Sequence, residues 1–499
     1  MSGRRALSTA VVWLRNDLRT HDHECLTYAA ESFERVVPVF VVDPRVYGGL
    51  SEFGPPKTGP FRARFVMEAL EDLKGSLLSL GSDLVVRKGS PGKVIPELAV
   101  EVGAEEVVFF TQAGTEEADD ERAVFRGLKN AGEKGKKGKG SGIRTATFWG
   151  RTLYHLDDLP HDVSKLPNKF TTWRNKIERG EVPIRDPYPV PASLPPLPDG
   201  LDAGSVPGME DLGWGEEDGV ADARAAYPFR GGESAGLGRV EEYFWERDAL
   251  KTYKKTRNGM LGPDYSSKLS PWLALGCLSP RHVYAEIKRY ESERVANKST
   301  YWLVFELLWA DYFVFLALKA KGKMYTLGGL HGAGYEIEWP GGEAEYRAWA
   351  EGKTGFPLVD ASIREMNLTG FMSNRSRQNV ASVLAKSLGV DWRRGAAYFE
   401  AMLIDYDPAA NWGNWAYVSG VGNDPRNRYF NIARQSRVYD KGGKYVKHWL
   451  PELADVPAAK VHDPQRMSNA EVAKSGVVLG EHYPAPIINL EASYARWRN

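Results

Sequence analysis

The chain has 499 residues and equal numbers of basic and acidic side chains, 65 of each, so its net charge indicates no particular partner. A chain of this length can form two or more domains with large cores. Its two cysteines, Cys25 and Cys277, argue against a disulfide framework and a cysteine-based metal site, and no metal is expected. No apolar run reaches transmembrane length, so we expect no membrane partner. The residues before the first strand are too few for a signal or transit peptide, although a longer precursor trimmed earlier stays open.

The first third of the chain alternates apolar runs with amphipathic stretches. Runs at 10–14, 36–42, 83–87 and 106–110 predict buried strands. Helical stretches separate them, including residues 61–80. This alternation predicts a doubly wound α/β domain with a parallel sheet over residues 8–165. Neither a Gly-x-Gly-x-x-Gly turn nor a Walker A loop is found in it.

Two segments have linker-like composition. Residues 133–142 are rich in Lys, Gly and Ser and predict a flexible surface insertion, while a nucleic-acid role for them stays open. Residues 166–239 include a long stretch rich in Pro, Gly and acidic residues with little periodicity. They predict the interdomain connector.

The remainder of the chain has helical periodicity. Long amphipathic stretches at 282–290, 301–320, 377–388 and 394–403 predict a larger all-α domain over residues 240–457. The tail, residues 458–499, has no recognisable chemistry and is either disordered or a short regulatory extension.

Two runs of this helical part, residues 365–379 and 403–417, combine Asn, Asp, Arg and Trp with apolar residues. Buried charges must be paired or hydrogen-bonded, because a lone buried charge costs several kcal/mol or more. Composition alone leaves two interpretations open, a structural ion-pair network and a functional pocket.

The amino-acid sequence of these runs resembles that of the flavin pocket in the photolyase/cryptochrome family, and in particular in its DASH-type cryptochromes. The matching phrases are Thr369-Gly370-Phe371-Met372-Ser373-Asn374-Arg375, Asp405-Tyr406-Asp407, Asn411-Trp412-Gly413-Asn414-Trp415, Gly420-Val421-Gly422-Asn423-Asp424-Pro425-Arg426 and residues 265–281. The resemblance extends from about Val11 to Pro457. It implies an N-terminal antenna domain, which can hold a second chromophore, and a helical domain that binds FAD.

The resemblance also implies a set of cofactor-binding residues. These are Tyr253, Ser266, Ser267, Leu269, Ser270, Asn374, Arg377, Asp405, Asp407 and Asn411. The serines would hold the diphosphate, for which a helix start is suited, although a capped helix start without phosphate stays open. Arg377 and Asp405 would pair beside the isoalloxazine. Asp407 would bond its polar edge, and the neutral amide of Asn411 would face N5.

Three tryptophans match the family's electron relay. They are Trp415, Trp392 and Trp339, from the flavin outward. Closely spaced, easily oxidised rings are what hole transfer requires. Core packing is the alternative role for each ring.

A further set matches the catalytic cavity that receives a flipped pyrimidine dimer. Glu306 would hydrogen-bond the base edge, Trp309 would stack on it, and Asn411 belongs to the same set. Gln378 and Tyr417 stand where ordinary photolyases carry Met and Trp, as in DASH members. A smaller, more polar cavity holds a flipped base less firmly, which favours single-stranded DNA because extrusion from a duplex costs a few kcal/mol.

Basic side chains around the cavity would hold DNA phosphates and make binding sensitive to salt, and we name Arg257 and Arg375 for this role. Ala310 departs from the family, which usually has Arg there, and it predicts weaker substrate binding than in a relative with Arg at this position. Glu68 matches a contact to a folate antenna, 5,10-methenyltetrahydrofolate. The segment 112–114 lacks the carboxylate that other members often have there.

Two functions remain in competition. One is a light-driven enzyme resembling deoxyribodipyrimidine photo-lyase of DASH type that repairs cyclobutane pyrimidine dimers, mainly in single-stranded DNA. The other is a blue-light photoreceptor that signals with little or no repair. A dark flavin oxidoreductase lacks support because no nicotinamide loop is found. We expect an intracellular monomer, in the cytoplasm or, in a eukaryote, in the nucleus, chloroplast or mitochondrion.

Overall fold

A five-stranded parallel sheet forms the first domain. The computed structural model describes residues 8–134, 142–332, 337–424 and 429–495. The strands, in sheet order 3-2-1-4-5, are β1 Thr9–Leu14, β2 Arg35–Val42, β3 Val85–Lys88, β4 Glu106–Phe110 and β5 Arg144–Phe148. All neighbouring strands are parallel. β1 is buried along its whole length, as its apolar run predicts for a strand covered on both faces. The predicted α/β fold is confirmed.

The sequence did not predict β5, which follows the Lys/Gly/Ser insertion. β5 lies at the sheet edge beside β4, and its residues are exposed or half-buried, none of them buried. An edge strand needs less apolar character than a central strand, and this one lacks the apolar run that identified the other four. Residues 135–141 of the predicted insertion lie outside the described residues.

Helices cover both faces of the sheet and continue into the connector. They are α1 Glu24–Ser32, α2 Pro44–Tyr47, α3 Pro60–Ser79, α4 Pro91–Glu101, α5 Thr115–Lys134 and α6 Phe170–Arg179. α6 begins inside the predicted connector. Beyond it, the residues from Gly180 to Gly232 contain one short 3-10 turn, Glu210–Leu212.

The rest of the described chain is helical and contains no strand. Its α-helices are α7 Glu233–Glu241, α8 Tyr253–Thr256, α9 Ser270–Ala274, α10 Pro280–Glu293, α11 Lys298–Ala320, α12 Glu343–Ala350, α13 Pro357–Thr369, α14 Asn374–Ser382, α15 Trp392–Met402, α16 Pro408–Ser419, α17 Ile432–Tyr439, α18 Lys444–Trp449, α19 Asn469–Ser475 and α20 Leu490–Ala495. Two π-helical segments, Glu242–Glu246 and Val383–Leu388, extend α7 and α14. This confirms the predicted all-α second part.

The C-terminal tail packs onto the helical domain. Val461, Val477 and Tyr483 are buried in a hydrophobic cluster with residues of α13 and α18. Tyr483 donates a hydrogen bond to Oδ2 of buried Asp360 at 2.5 Å. A disordered tail is therefore wrong for residues 458–495.

Buried polar contacts join the two domains. Asp22, which is fully buried, accepts two hydrogen bonds from the guanidinium of Arg281, at 2.7 and 3.0 Å. Glu233 accepts hydrogen bonds from the backbone N–H groups of Thr20 and His21. The interface is therefore specified by paired charges as well as by apolar packing. Among the described residues, no helix combines the length and apolarity needed to cross a bilayer.

Candidate cofactor site

One cavity of about 380 Å³ lies inside the helical part of the chain. This volume falls within the range of small-molecule sites. All ten residues predicted to bind the cofactor line it, namely Tyr253, Ser266, Ser267, Leu269, Ser270, Asn374, Arg377, Asp405, Asp407 and Asn411. Glu306, Gln378, Ala310 and Trp415 line it as well. Segments far apart in sequence thus meet around one space.

The serine-rich wall of the cavity is a loop held by a buried arginine. Arg239 is fully buried and donates to the backbone carbonyls of Pro263 at 2.9 Å and Ser267 at 3.0 Å. Lys268, at φ 56°, turns the chain before α9 begins at Ser270. The hydroxyls of Ser266 and Ser267 are therefore presented from a fixed loop, and the helix that follows is only one turn long.

The centre of the cavity contains the predicted ion pair. Arg377 Nη2 lies 2.8 Å from Asp405 Oδ2, and Ser270 Oγ donates to the same oxygen at 2.6 Å. Arg377 Nε also donates to the carbonyl of Met372 at 2.9 Å. The other oxygen of Asp405, Oδ1, is buried and has no hydrogen-bond partner among the described residues.

The unpartnered Asp405 oxygen tests whether FAD fits this cavity. A buried acceptor without a partner costs about 1–3 kcal/mol, so a donor from a bound group is expected there. The isoalloxazine and the sugar of FAD both carry such donors. Hydroxyls, an arginine and buried aromatic rings suit the diphosphate and the flavin ring. The residues present therefore fit FAD.

Asp407 and Asn411 lie at the start of α16, which forms another wall. Asp407 Oδ1 accepts from the N–H of Ala410 at 2.7 Å and caps the helix, and Oδ2 pairs with Arg151. Asn411 Nδ2 donates to the carbonyl of Ala396 at 3.0 Å. Both side chains are thus held in place by protein contacts.

The predicted substrate residues at the cavity belong to two clusters. Glu306 lies 3.0 Å from Arg257, whose charge opposes the burial that raises the pKa of this carboxyl. Gln378 Oε1 accepts from Arg375 Nη1 at 2.7 Å. Ala310, one turn after Glu306 on α11, also lines the cavity and is exposed. Both arginines named for phosphate binding therefore contact predicted cavity residues.

Trp309 and Tyr417 lie beside the cavity and are not among the residues that line it. Their rings are 6.2 Å apart between centroids and nearly perpendicular. Phe170 of α6 stacks on Trp309 with centroids 3.7 Å apart and planes 13° apart. Phe313 of α11 also lies against Trp309, with centroids 5.6 Å and planes 28° apart, so two rings of the chain restrict where a base could stack on it.

The three relay tryptophans differ in exposure. Trp415 lines the cavity and is 2% exposed, Trp392 is fully buried, and Trp339 is half-buried. A methyl group at Gly395 of α15 would come within 2.2 Å of Trp415 Cη2, so glycine allows the ring to lie against the helix that begins at Trp392. Of the three, Trp415 lines the cavity and Trp339 is the most exposed, and their order and role as a relay stay a prediction.

Glu68 lies on α3, away from this cavity. It accepts a hydrogen bond from the N–H of Gly231 at 2.7 Å, and burial raises its pKa. Its predicted contact to a folate stays a prediction. The described residues contain no cluster of His, Cys, Asp or Glu suited to a metal ion.

Three charged residues at or near the cavity escaped the sequence analysis. Arg151 reaches it from the first domain, and no local pattern marks it. Lys268 lies within the segment 265–281 that resembles the family. Its side chain is 3% exposed, and burial lowers its pKa to about 7. Glu365 is the first residue of the run 365–379. Its carboxyl accepts a hydrogen bond from the Tyr445 hydroxyl, and burial raises its pKa to about 8. Lys268 and Glu365 could have been found by asking which charged residues of the segments 265–281 and 365–379 are buried, whereas Arg151 could not.

Comparisons with known proteins agree with this fold and cavity. Residues 10–192 match the family model of DNA photolyase, and residues 302–499 match that of the FAD binding domain of DNA photolyase. A crystal structure of a Synechocystis sp. cryptochrome superposes with a TM-score of 0.93 at 46% identity, covering 99% of each chain. A bacterial class III photolyase from Agrobacterium tumefaciens superposes with a TM-score of 0.83 at 27% identity, covering 100% of this chain and 98% of its own.

The chain therefore belongs to the photolyase/cryptochrome family of FAD-binding flavoproteins. The curated relatives place it more narrowly. A protein named Cryptochrome DASH from Gloeobacter violaceus is 50% identical over 98% of this chain and 94% of its own length. Cryptochrome DASH from Xenopus laevis is 47% identical over 95% and 88%. The predicted resemblance to DASH-type cryptochromes is confirmed.

Proposed function

We propose that this protein uses blue light to reverse cyclobutane pyrimidine dimers, with a preference for single-stranded DNA. The observation that carries the proposal is the position of Glu306. Its carboxyl lines the same cavity as Asp405 and Asn411, so a base edge bound by Glu306 would lie close to the cofactor. Bound FAD supplies a light-absorbing ring that can donate an electron and take it back.

Different residues of the cavity would bind the cofactor and the substrate. Arg377 and Asp405 hold the cofactor side of the cavity. Glu306, whose pKa is raised by burial, can hydrogen-bond the polar edge of a pyrimidine and stabilise charge that develops on it. Arg257 keeps Glu306 in place. Asn411 is a neutral amide and offers no acidic proton to the ring beside it.

A preference for single-stranded DNA is supported by the small stacking surface and the lack of charge that Trp309, Tyr417 and Ala310 provide for a flipped base. Phe170 already occupies one face of Trp309. Tyr417 offers a smaller ring than tryptophan would, and Ala310 contributes no charge to the cavity mouth. A stacked base is worth about 1–3 kcal/mol, which is comparable to the few kcal/mol that extrusion from a duplex costs. A lesion in a single strand avoids most of that cost.

The test is the loss of dimers under blue light in matched single-stranded and duplex oligonucleotides, with the cofactor fully reduced. We expect repair on both, faster on the single strand. Glu306→Gln should lower repair while FAD stays bound. Glu286→Gln is the matched control, because Glu286 lies on α10 outside the cavity, where it accepts a hydrogen bond from the Trp245 indole.

Two outcomes would contradict the proposal in different ways. Absence of repair on single strands, with FAD bound and reduced, would favour the photoreceptor function instead. Equal repair of both substrates would leave photolyase activity standing but refute the argument from Trp309, Tyr417 and Ala310.

A further inference from the structure

Arg151 is a cation of the first domain that reaches into the cofactor cavity. It follows β5, on a short segment that crosses from the sheet to the helical domain. Its side chain is 14% exposed and pairs with Asp407, which is 15% exposed. The pair therefore joins the two domains at the cofactor cavity.

The segment that carries Arg151 is fixed on both sides. Asp311 of α11 accepts hydrogen bonds from the N–H groups of Leu153 and Tyr154, both at 2.9 Å. Arg19 Nη2 donates to the carbonyl of Gly150 at 3.3 Å. The guanidinium of Arg151 thus approaches Asp407 from a backbone that has little freedom to move.

Two other ion pairs line the cavity. Arg377 pairs with Asp405, and Arg257 pairs with Glu306. Asp407 already gives one oxygen to the N–H of Ala410, so its second oxygen faces Arg151. Without a guanidinium there, that carboxylate would be a partly buried charge supported only by a helix start.

We propose that Arg151 is a positioning residue for FAD, which keeps Asp407 ionised and turned so that its oxygens accept a hydrogen bond from the flavin edge. An ionised carboxylate only accepts, and each of its oxygens has a second lone pair available beside the contacts described. FAD retention then depends on a residue of the first domain. The inference rests on FAD binding in this cavity and is independent of the proposed repair activity.

The first experiment measures FAD release in the dark from the full-length holoprotein, followed by the rise in fluorescence of free FAD. We expect Arg151→Met to release FAD about tenfold faster or more, because the remaining charge loses its partner. Arg151→Lys keeps the charge without the planar fork and should lie in between. Arg185→Met is the matched control, because Arg185 pairs with Asp158 outside the cavity and should release FAD at the wild-type rate.

A double-mutant cycle identifies Asp407 as the residue through which Arg151 acts. In an Asp407→Asn background, Arg151→Met should change FAD release by less than about twofold, because no carboxylate is left to support. An equally large effect in both backgrounds would overturn the proposal. So would wild-type release from folded Arg151→Met protein. If Arg151→Met does not fold, Arg151→Lys in both backgrounds decides in the same way.

The pH dependence of release separates this role from simple packing. In Arg151→Met, Asp407 should take up a proton at higher pH than in the wild type, so release should accelerate as pH falls. The charged groups around the pair are Glu117 of α5, Asp17, Arg15 and Arg19 of the first domain, and Arg377 and Asp405 of the cavity. The double variant lacks the Asp407 carboxyl but keeps the other charged groups, so the acceleration should vanish in it. If the acceleration persists there, another group causes it and the proposal is overturned. Absence of repair by wild-type protein that retains FAD would count against the proposed function alone.

Discussion

Arg377 Nη2 lies 2.8 Å from Asp405 Oδ2, while the second oxygen of Asp405 is buried without a partner in the described part of the chain. The pair connects α14 with the turn before α16. A carboxylate held by an arginine on one oxygen and open on the other is arranged to receive a donor. This relationship makes the cavity a site for a specific ligand.

Asp405→Asn should release FAD and destabilise the protein. The change leaves Arg377 without its anionic partner, which for a buried pair costs about 3 kcal/mol. The measurement is the ratio of FAD to protein after purification, together with urea unfolding. Asp391→Asn is the control, because Asp391 pairs with Arg393 and is 23% exposed. Full FAD occupancy in the Asp405 variant would show that the cavity does not depend on this pair.

Trp392→Phe should slow photoreduction of the flavin by an external reductant by about tenfold or more. Phenylalanine is much harder to oxidise than tryptophan, while its ring keeps most of the packing. FAD should stay bound, because Trp392 does not line the cavity. The rate is followed as bleaching of the flavin band under blue light. Trp449→Phe, in a separate hydrophobic cluster, should leave the rate unchanged. Unchanged kinetics in the Trp392 variant would mean that electrons take another route.

Glu365 should make stability fall as pH rises. Burial raises its pKa to about 8 from an ordinary value of 4.5, so between these values the folded protein binds a proton that the unfolded chain has lost. From about pH 5 to about pH 7 the free energy of unfolding should therefore fall by about 2–3 kcal/mol on this account. Lys268, whose pKa burial lowers to about 7, acts in the opposite direction, mainly above that range.

Glu365→Gln, a neutral side chain of the same shape, should remove this part of the pH dependence. Urea unfolding of wild type and variant at the two pH values measures it. Glu31→Gln, at an exposed position, should leave the slope as it is. A parallel fall in wild type and the Glu365 variant would refute the raised pKa.

Tyr483→Phe should loosen the C-terminal tail. The change removes the hydrogen bond to buried Asp360, which we expect to cost about 1–3 kcal/mol of unfolding free energy. Limited proteolysis should then cut the tail sooner. In Tyr301→Phe the lost bond to Glu178 is on the surface, so the cost should be below about 0.5 kcal/mol. Equal stability of wild type and the Tyr483 variant would show that the tail contributes nothing to the fold.

The sequence determined the elements whose signal is local. Apolar runs located β1 to β4, because a strand buried on both faces must be apolar along its length. Periodicity located the long helices, and the resemblance of the contiguous segments around Ser266, Arg377 and Asp405 to the family's flavin pocket implied the cavity walls. These signals depend on neighbours within about a dozen residues.

The tertiary structure decided what depends on distant partners. β5 forms a strand because it pairs with the edge of β4. Phe170 covers one face of the Trp309 ring because α6 packs against α11. Arg239 shapes the serine loop from outside it, and Arg151 meets Asp407 from another domain. A charged side chain looks the same in sequence whether it faces water or a partner 256 residues away. Only the packing of the chain removes the water and brings the partner within reach, and that step gives these residues their roles.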